Sequence, residues 1–215
     1  MMSIQQYLVA LVVGYIFGNI PNGYLYAKSQ GVDIYKEGSG NPGSTNISRT
    51  LGKRAGATVL LLDIAKTIVP ILMMQMIYKP VTSDLQTLIT LITGFGAVLG
   101  HDFPLVTKLH GGKGIACTGA LIIAFDWRFA IVLLLLFVMV SYTTGYVSVG
   151  SIVAVSALFV CSAIFGAVGM LPFTMQIYRE VLVIVFMISA LAVWQHRANI
   201  VRLMQGKENK FHFKK

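Results

Sequence analysis

The sequence predicts an all-α integral membrane protein with seven transmembrane helices, some of them short or broken. Of the 215 residues, 56% are hydrophobic and only 12% are charged, whereas soluble domains carry about 25% charged residues. Apolar runs near the ~20 residues that a spanning helix needs recur along the whole chain, with polar connections between them. We therefore expect one transmembrane domain over residues 1–215, with a basic tail over about 201–215.

Each apolar run is a candidate span. The first has no basic residue before it and no small-residue cleavage site after it, so we expect it to be retained. Pro70 lies inside the second run, where a membrane helix tolerates a kink. The third and fourth runs are short and rich in glycine. The fourth is the weakest candidate for a full span, and the alternatives for it are a half-span or a tilted buried helix. The seven runs are roughly 4–24, 55–78, 85–100, 114–125, 129–145, 151–167 and 181–195.

The positions of the basic residues predict the orientation. Seven spans place the two termini on opposite sides of the membrane. Of the 17 Lys and Arg residues, 13 then fall on the side of the C-terminus, three fall on the other side and Lys66 lies within a span. Basic residues concentrate on the cytoplasmic side, so we expect the N-terminus outside and the tail in the cytoplasm. The net charge of +9 is thereby explained by topology and anionic lipid headgroups rather than by nucleic acid.

The first polar connection, residues 38–46, reads Gly-Ser-Gly-Asn-Pro-Gly-Ser-Thr-Asn. Backbone N–H groups of such a loop can surround an anion, and its short side chains add donors, so it predicts a phosphate site at the membrane face. It formally matches the dinucleotide fingerprint, but that fingerprint needs a βαβ unit, which flanking spans exclude. An ordinary glycine-rich connector is the alternative. The candidate residues here are Gly38, Ser39, Gly40, Asn41, Gly43, Thr45, Asn46 and Arg49.

The second polar connection, residues 100–114, places Lys113 among glycines. It is not a nucleotide-binding P-loop, because Thr107 and Gly114 stand where that motif needs Gly and Ser or Thr. A lysine flanked by glycines at the start of a helix is still a favourable anion site. His101 and Asp102 are either an acid–base pair or capping groups, and adjacent residues do not normally face one another. The candidate residues here are His101, Lys108, Gly111, Gly112, Lys113 and Gly114.

Two further pairs are spaced i, i+3 and therefore share one face of a helix. His196 and Asn199 follow the last span, and histidine accepts protons near neutral pH; the alternative is that His196 only anchors this helix at the interface. Asp63 and Lys66 lie inside the second span, where ionisable groups are costly. They are either a structural pair that satisfies itself or a second layer that positions the cationic site.

Three motifs are counted here: residues 38–46 with Arg49, residues 100–104 with 111–114, and the third motif His196-Arg197-x-Asn199-Ile200. In this order they resemble the motifs of the bacterial acyl-phosphate-dependent glycerol-3-phosphate acyltransferases, over essentially the whole chain. One difference is Ser44, where the family commonly has alanine. The resemblance implies transfer of a fatty acyl group from acyl phosphate to the 1-hydroxyl of sn-glycerol 3-phosphate, giving lysophosphatidic acid and phosphate in phospholipid biosynthesis. It implies no metal and no cofactor. It also implies a multi-pass protein of the bacterial cytoplasmic membrane with its active site facing the cytoplasm, and the enzyme that produces acyl phosphate as a candidate partner.

For such a reaction we expect basic side chains to hold the two phosphates, and hydroxyl, amide and N–H donors to orient them. His196 would place or deprotonate the attacking hydroxyl; alternatively, a substrate phosphate takes the proton and His196 only binds. An acyl-enzyme on Ser39 is disfavoured because no base adjoins it. The catalytic candidates are Ser39, Arg49, Lys113, His196 and Asn199.

Two other classes of membrane protein are alternatives to the enzyme. A transporter of a phosphorylated metabolite would suit the intramembrane Asp63 and Lys66, but transporters usually carry an internal repeat with paired interrupted helices, and this sequence has no such symmetry. A structural membrane subunit would not need three polar motif clusters. The collection of all three motifs on one side of the membrane favours catalysis at that face.

Overall fold

The computed structural model describes residues 3–211, and helices make up most of this range, which contains no strand. The basic tail beyond residue 211, with Lys214 and Lys215, lies outside the described residues. The helices in chain order are α1 (Ile4–Gly18), α2 (Asn22–Ser29), α3 (Ser44–Leu51), α4 (Lys53–Tyr78), α5 (Ser83–Asp102), a 3-10 helix (Leu105–Thr107), α6 (Ile115–Phe125), α7 (Trp127–Thr144), α8 (Val147–Ala167), α9 (Tyr178–Gln195) and α10 (Arg197–Met204).

Six segments of the described chain are long and apolar enough to cross a membrane. The fourth predicted span corresponds to α6, which is apolar but has only 11 residues. A helix of that length extends about 17 Å, roughly half the hydrocarbon thickness. The count of seven spans and the sides of the termini therefore stay predictions. The six segments are Ile4–Ser29, Lys53–Tyr78, Ser83–Thr107, Trp127–Thr144, Val147–Ala167 and Tyr178–Gln195.

Several spans differ by a few residues from their predicted bounds, and two of the differences have an evident physical cause. The first apolar run is not one continuous helix, because it breaks between α1 and α2, where Pro21 cannot donate a backbone hydrogen bond. At this break the side chain of Asn19 accepts a hydrogen bond from the Leu105 N–H at 2.7 Å. The third span is longer than predicted, with 20 residues, because the Thr82 side chain caps its N-terminus by accepting from the Leu85 N–H at 3.2 Å.

Helices α1 and α5 pack with their backbones in close contact. Gly14 and Gly18 of α1 lie against α5, and Gly96 and Gly100 of α5 lie against α1. A Cβ atom added to any of these glycines would overlap backbone atoms of the other helix. Such small residues allow the close approach that drives helix association in lipid. Because α5 also contacts α4, α6 and α9, it forms the centre of the bundle.

The long connections gather at one end of the bundle. The end that carries residues 30–52, 103–114, 145–146 and 196–211 is called the site end below. The end that carries residues 79–82, 126 and 168–177 is called the opposite end. At the site end, a small apolar cluster of Ala27, Ile34, Ile47, Ala55 and Val59 packs α2, α3 and α4 together and supports the first polar connection.

Candidate functional site

The first two polar connections lie against each other at the site end. Just before the first connection, the Tyr35 hydroxyl donates to the carbonyl of His110 at 2.7 Å. The Asn41 side-chain amide donates to the carbonyl of Gly111 at 3.3 Å. Segments far apart in the sequence therefore form one continuous wall.

The first connection is held in shape by Asn46. The side-chain oxygen of Asn46 accepts from the Ser39 N–H at 2.9 Å, and its amide nitrogen donates to the Glu37 carbonyl at 2.9 Å. Gly38 and Gly40 have φ angles of 56° and 69°, a region that glycine adopts without steric cost. A side chain on Gly38 would also overlap the carboxamide of Asn46. The Asn46 amide thus closes the loop upon itself.

The sequence predicted a loop over the whole of segment 38–46, but only the first part of it is a loop. Helix α3 begins at Ser44, so Thr45 and Asn46 lie in its first turn. The preceding loop is tightened by Asn41, whose side-chain oxygen accepts from the Gly43 N–H at 2.9 Å. The polar motif is therefore half loop and half helix.

Arg49 lies in the last turn of α3 and reaches the C-terminal segment. Its guanidinium donates to the Asn209 carbonyl at 3.2 Å and lies 5.8 Å from the centre of the Phe211 ring. Burial lowers the pKa of Arg49, and the nearby Glu208 carboxylate opposes that shift. An arginine remains charged at neutral pH in either case.

Lys113 joins the second connection to the third motif. Its ammonium donates to the side-chain oxygen of Asn199 at 2.5 Å, and the Asn199 amide donates to a carboxylate oxygen of Glu208 at 2.8 Å. Burial lowers the pKa of Lys113 to about 8; the charges of Arg202 and Arg49 also lower it, whereas Glu208 raises it. Lys113 is therefore mostly charged at pH 7 and loses its proton more easily than an exposed lysine.

Glu208 is a site residue that the sequence reasoning missed. The side chain is buried and accepts hydrogen bonds from Arg202 at 2.8 Å and from the Ser148 hydroxyl at 3.2 Å, as well as from Asn199. The available signal was that Glu208 is the one acidic residue of the basic tail over 201–215. Its partners lie on α8 and α10, so it ties the C-terminal segment to the site end.

His196 lies between α9 and α10 and is only 3% exposed. Its Nδ1 is 2.7 Å from the Ala192 carbonyl oxygen. Because a carbonyl only accepts, Nδ1 carries the proton and Nε2 is left as an acceptor. Burial lowers the pKa of His196 to about 4; the Ala192 bond opposes this shift, the Lys113 charge adds to it, and Glu208 opposes it. The ring is therefore neutral at pH 7.

Some predicted site residues lie apart from this group. Lys108 is exposed in a left-handed conformation with φ 52°, and among the described residues its charge is not one of those that shift the pKa of Lys113 or Arg49. His101 faces into the bundle, with Nδ1 3.6 Å from a carboxylate oxygen of Asp63. The buried Asp102 carboxyl interacts with the Gln195 side chain, whereas the His101 ring faces Asp63, so the expected direct pair of His101 and Asp102 is not seen among the described residues.

The sequence profile of the glycerol-3-phosphate acyltransferases matches residues 8–206. The chain belongs to the glycerol-3-phosphate acyltransferase family. A glycerol-3-phosphate acyltransferase of Clostridioides difficile (strain 630) is 38% identical over 100% of both chains. Another, of Geotalea daltonii, is 36% identical over 94% of this chain and 97% of its own. These relatives confirm the family that the three motifs had indicated.

The fold agrees with the same acyltransferase family. The chain is similar to the crystal structure of PlsY (YgiH), an integral membrane glycerol 3-phosphate acyltransferase, in its glycerol 3-phosphate form, with a TM-score of 0.83, 32% identity and 96% of each chain covered. The lysophosphatidic acid form of PlsY gives a TM-score of 0.79 at 32% identity, covering 96% of this chain and 95% of the other. The prediction of an all-helical, multi-pass membrane protein is thus confirmed.

In this acyltransferase-family chain, three cations surround one buried carboxylate. Arg49, Lys113 and Arg202, called the cationic group below, interact electrostatically with one another and with Glu208. Together the four side chains carry a net charge of about +2 when Lys113 is protonated, the opposite of the −1.5 to −2 of a phosphate monoester at pH 7. The arrangement is suited to binding a phosphate at the end of an apolar bundle.

Proposed function

We propose that this chain transfers a fatty acyl group from acyl phosphate to the 1-hydroxyl of sn-glycerol 3-phosphate, giving 1-acyl-sn-glycerol 3-phosphate and phosphate. The observation that carries the proposal is the meeting of the cationic group with His196 and Asn199 in a chain of this acyltransferase family. The names of the relatives support glycerol 3-phosphate as acceptor. Membership of an acyltransferase family also argues against the transporter of a phosphorylated metabolite.

Acyl phosphate as donor is the finer part of the proposal. An acyl phosphate is a mixed anhydride whose carbonyl is already activated, and its leaving group is a phosphate that a cationic site stabilises. Attack by the hydroxyl oxygen forms the ester C–O bond, the anhydride C–O bond breaks, and its electron pair leaves with phosphate. Positioning and charge stabilisation then supply most of the catalysis. In this scheme Arg49 and Lys113 hold phosphate, while the Ser39 hydroxyl orients the reacting groups. The expected cradle of glycine N–H groups is reduced, because Gly40, Gly43 and Gly112 already donate their N–H groups within the chain.

The proton of the attacking hydroxyl needs an acceptor. His196 has its pKa lowered to about 4, so it is a weak base at neutral pH. A phosphate monoester has its second pKa near 6, which makes a substrate phosphate the stronger base. We assign His196 the role of accepting a hydrogen bond at Nε2 and aligning the hydroxyl, and a substrate phosphate the role of taking the proton.

The proposed location of the active site rests on the distribution of the basic residues. The excess of basic residues on the side of the C-terminus supports an active site facing the cytoplasm, in the cytoplasmic membrane of a bacterium. Glycerol 3-phosphate would approach from water and the acyl chain from the bilayer. The enzyme that produces acyl phosphate is the partner that this arrangement would require nearby.

The test is an assay of the purified protein in detergent or nanodiscs. With acyl phosphate and glycerol 3-phosphate we expect release of phosphate and lysophosphatidic acid in equal amounts, and with acyl-CoA as the alternative donor we expect none. His196→Gln should lower kcat without changing the shape of the pH–rate profile, whereas His110→Gln, at an exposed histidine of the same end, should match the wild type. Absence of phosphate release would refute the donor, and loss of the acid limb in His196→Gln would make His196 the base.

A further inference from the structure

A buried polar cluster lies directly behind the second polar connection. Asp63 accepts a hydrogen bond from the Asn22 amide at 3.0 Å and pairs with Lys66 at 3.0 Å. Asp63 is 1% and Lys66 5% exposed. The i, i+3 pair expected from the sequence is therefore confirmed, and Asn22 of α2 and His101 of α5 are added to it.

The cluster also fixes the break between α1 and α2. The Lys66 ammonium donates to the Ile20 carbonyl at 2.8 Å, and Asn22 begins α2 immediately after the break. Buried charges in a membrane span are costly and commonly mark function. Here they join three elements, α2, α4 and α5, at the level where the polar connections leave the bundle.

His101 connects this cluster to the second connection. Its Nδ1 faces Asp63 at 3.6 Å, and its Nε2 packs against Gly112 so closely that a Cβ atom there would overlap the ring. The His101 carbonyl also accepts the Gly112 N–H at 3.0 Å. The imidazole therefore lies between the buried carboxylate and the backbone that carries Lys113.

We propose that Asp63 is a positioning residue that acts through His101. Held by Lys66 and Asn22, the Asp63 carboxylate fixes the orientation of the imidazole, and the imidazole sets the position of Gly112. The next residue, Lys113, then reaches Asn199 and the phosphate site. This inference rests on the proposed function only for its kinetic readout, because the contacts themselves concern the backbone of the second connection.

The first experiment compares two variants that each remove one buried interaction between α4 and α5. Asp63→Asn removes the charge that faces His101. The matched control, Thr90→Val, removes the 2.8 Å hydrogen bond from Gln75 to Thr90, which joins the same two helices away from the second connection. We expect Asp63→Asn to raise the KM for at least one phosphate substrate by about tenfold, within the range for coupled residues in contact, with a smaller change in kcat. Thr90→Val should leave both KM values unchanged.

A double-variant cycle tests whether Asp63 acts through His101. If it does, Asp63→Asn combined with His101→Gln should have the same KM as His101→Gln alone, since coupled residues are not additive. Additive effects, or KM values of Asp63→Asn equal to those of Thr90→Val, would overturn the inference. If Asp63→Asn does not fold, Asp63→Asn/Lys66→Met removes both buried charges together, which is better tolerated than removing one, and the same increase in KM is expected.

A readout independent of activity separates this inference from the proposed function. Amide hydrogen exchange at residues 111–114 should be faster in Asp63→Asn than in the wild type, and unchanged in Thr90→Val. An inactive wild type with this exchange difference would refute the proposed function and leave the positioning role intact. An active wild type with no exchange difference would refute the positioning role.

Discussion

Asp126 at the opposite end and Glu208 at the site end are both carboxylates with little exposure, 7% and 9%, yet their partners differ. Asp126 accepts from the N–H groups of Arg128 and Phe129 at 2.9 and 3.3 Å and pairs with the Arg128 side chain at 2.7 Å. Glu208 instead takes its partners from α8 and α10. Partners in the first turn of one helix cap that helix, whereas partners on two different helices join those helices at a site, and this distinction predicts which carboxylate matters for activity.

The largest expected effect is at Lys113, the cation nearest to Asn199. Lys113→Met keeps most of the length of the side chain and removes the charge, and we expect kcat/KM to fall by at least about 100-fold, the usual cost of losing one donor to developing charge. Activity within about tenfold of the wild type would contradict the role of Lys113 in holding phosphate.

The control is Lys113→Arg, which also gives a pH test of the same prediction. Since the pKa of Lys113 is lowered to about 8, its charge is lost as pH rises through that value, and phosphate binding should weaken between pH 7 and 9. Arginine stays charged throughout this range, so the KM of Lys113→Arg should not rise between pH 7 and 9. A wild-type KM that is flat over the same range would refute the assignment.

An intermediate effect is expected at Glu208. Glu208→Gln preserves the shape but removes the ion pair with Arg202, leaving the three cations without a counter-charge. We expect a loss of about 1–3 kcal/mol in stability, the range for an impaired buried hydrogen-bonding group, and about a tenfold fall in kcat/KM. Thermal unfolding in detergent and the phosphate-release assay measure the two quantities. Unchanged values in both would show that Glu208 does not organise the site end.

The smallest effect is expected at Asp126, which completes the comparison. Asp126→Asn keeps a good helix-capping side chain and loses an ion pair to Arg128, whose side chain is 63% exposed. Exposed pairs are worth up to about 1 kcal/mol, so we expect only a small fall in melting temperature. The value of kcat/KM should stay within about twofold of the wild type. A fall in activity as large as that of Glu208→Gln would erase the distinction between the two ends.

Local signals carried most of what the sequence could predict. The apolar runs indicated the helices, and the i, i+3 spacing indicated the Asp63–Lys66 pair, because both depend on neighbours along the chain. The break at Pro21 was signalled by the proline itself but was overlooked inside a continuous apolar run. The role of Glu208 could not be predicted, since nothing in the sequence shows that Arg202, Asn199 and Ser148 meet at this one carboxylate.

The contact between His101 and Asp63 could also not be predicted from the sequence. It depends on how α5 packs beside α4, which no spacing within either helix reveals. The three polar motifs could be grouped from the sequence by topology alone. The contacts between the motifs, such as those of Asn41 with Gly111 and of Lys113 with Asn199, could be identified only from the fold.

The close glycine contact between α1 and α5 has a consequence for biosynthesis. During translation α1 enters the membrane well before α5 has been made, so its glycine face is first covered by lipid and must exchange lipid for α5 later. Two further bonds depend on the same late event, from the Tyr15 hydroxyl to the Phe103 carbonyl at 2.9 Å and from the Leu105 N–H to Asn19. The order of insertion therefore delays the pairing of α1 with α5 until nearly half of the chain has been synthesised.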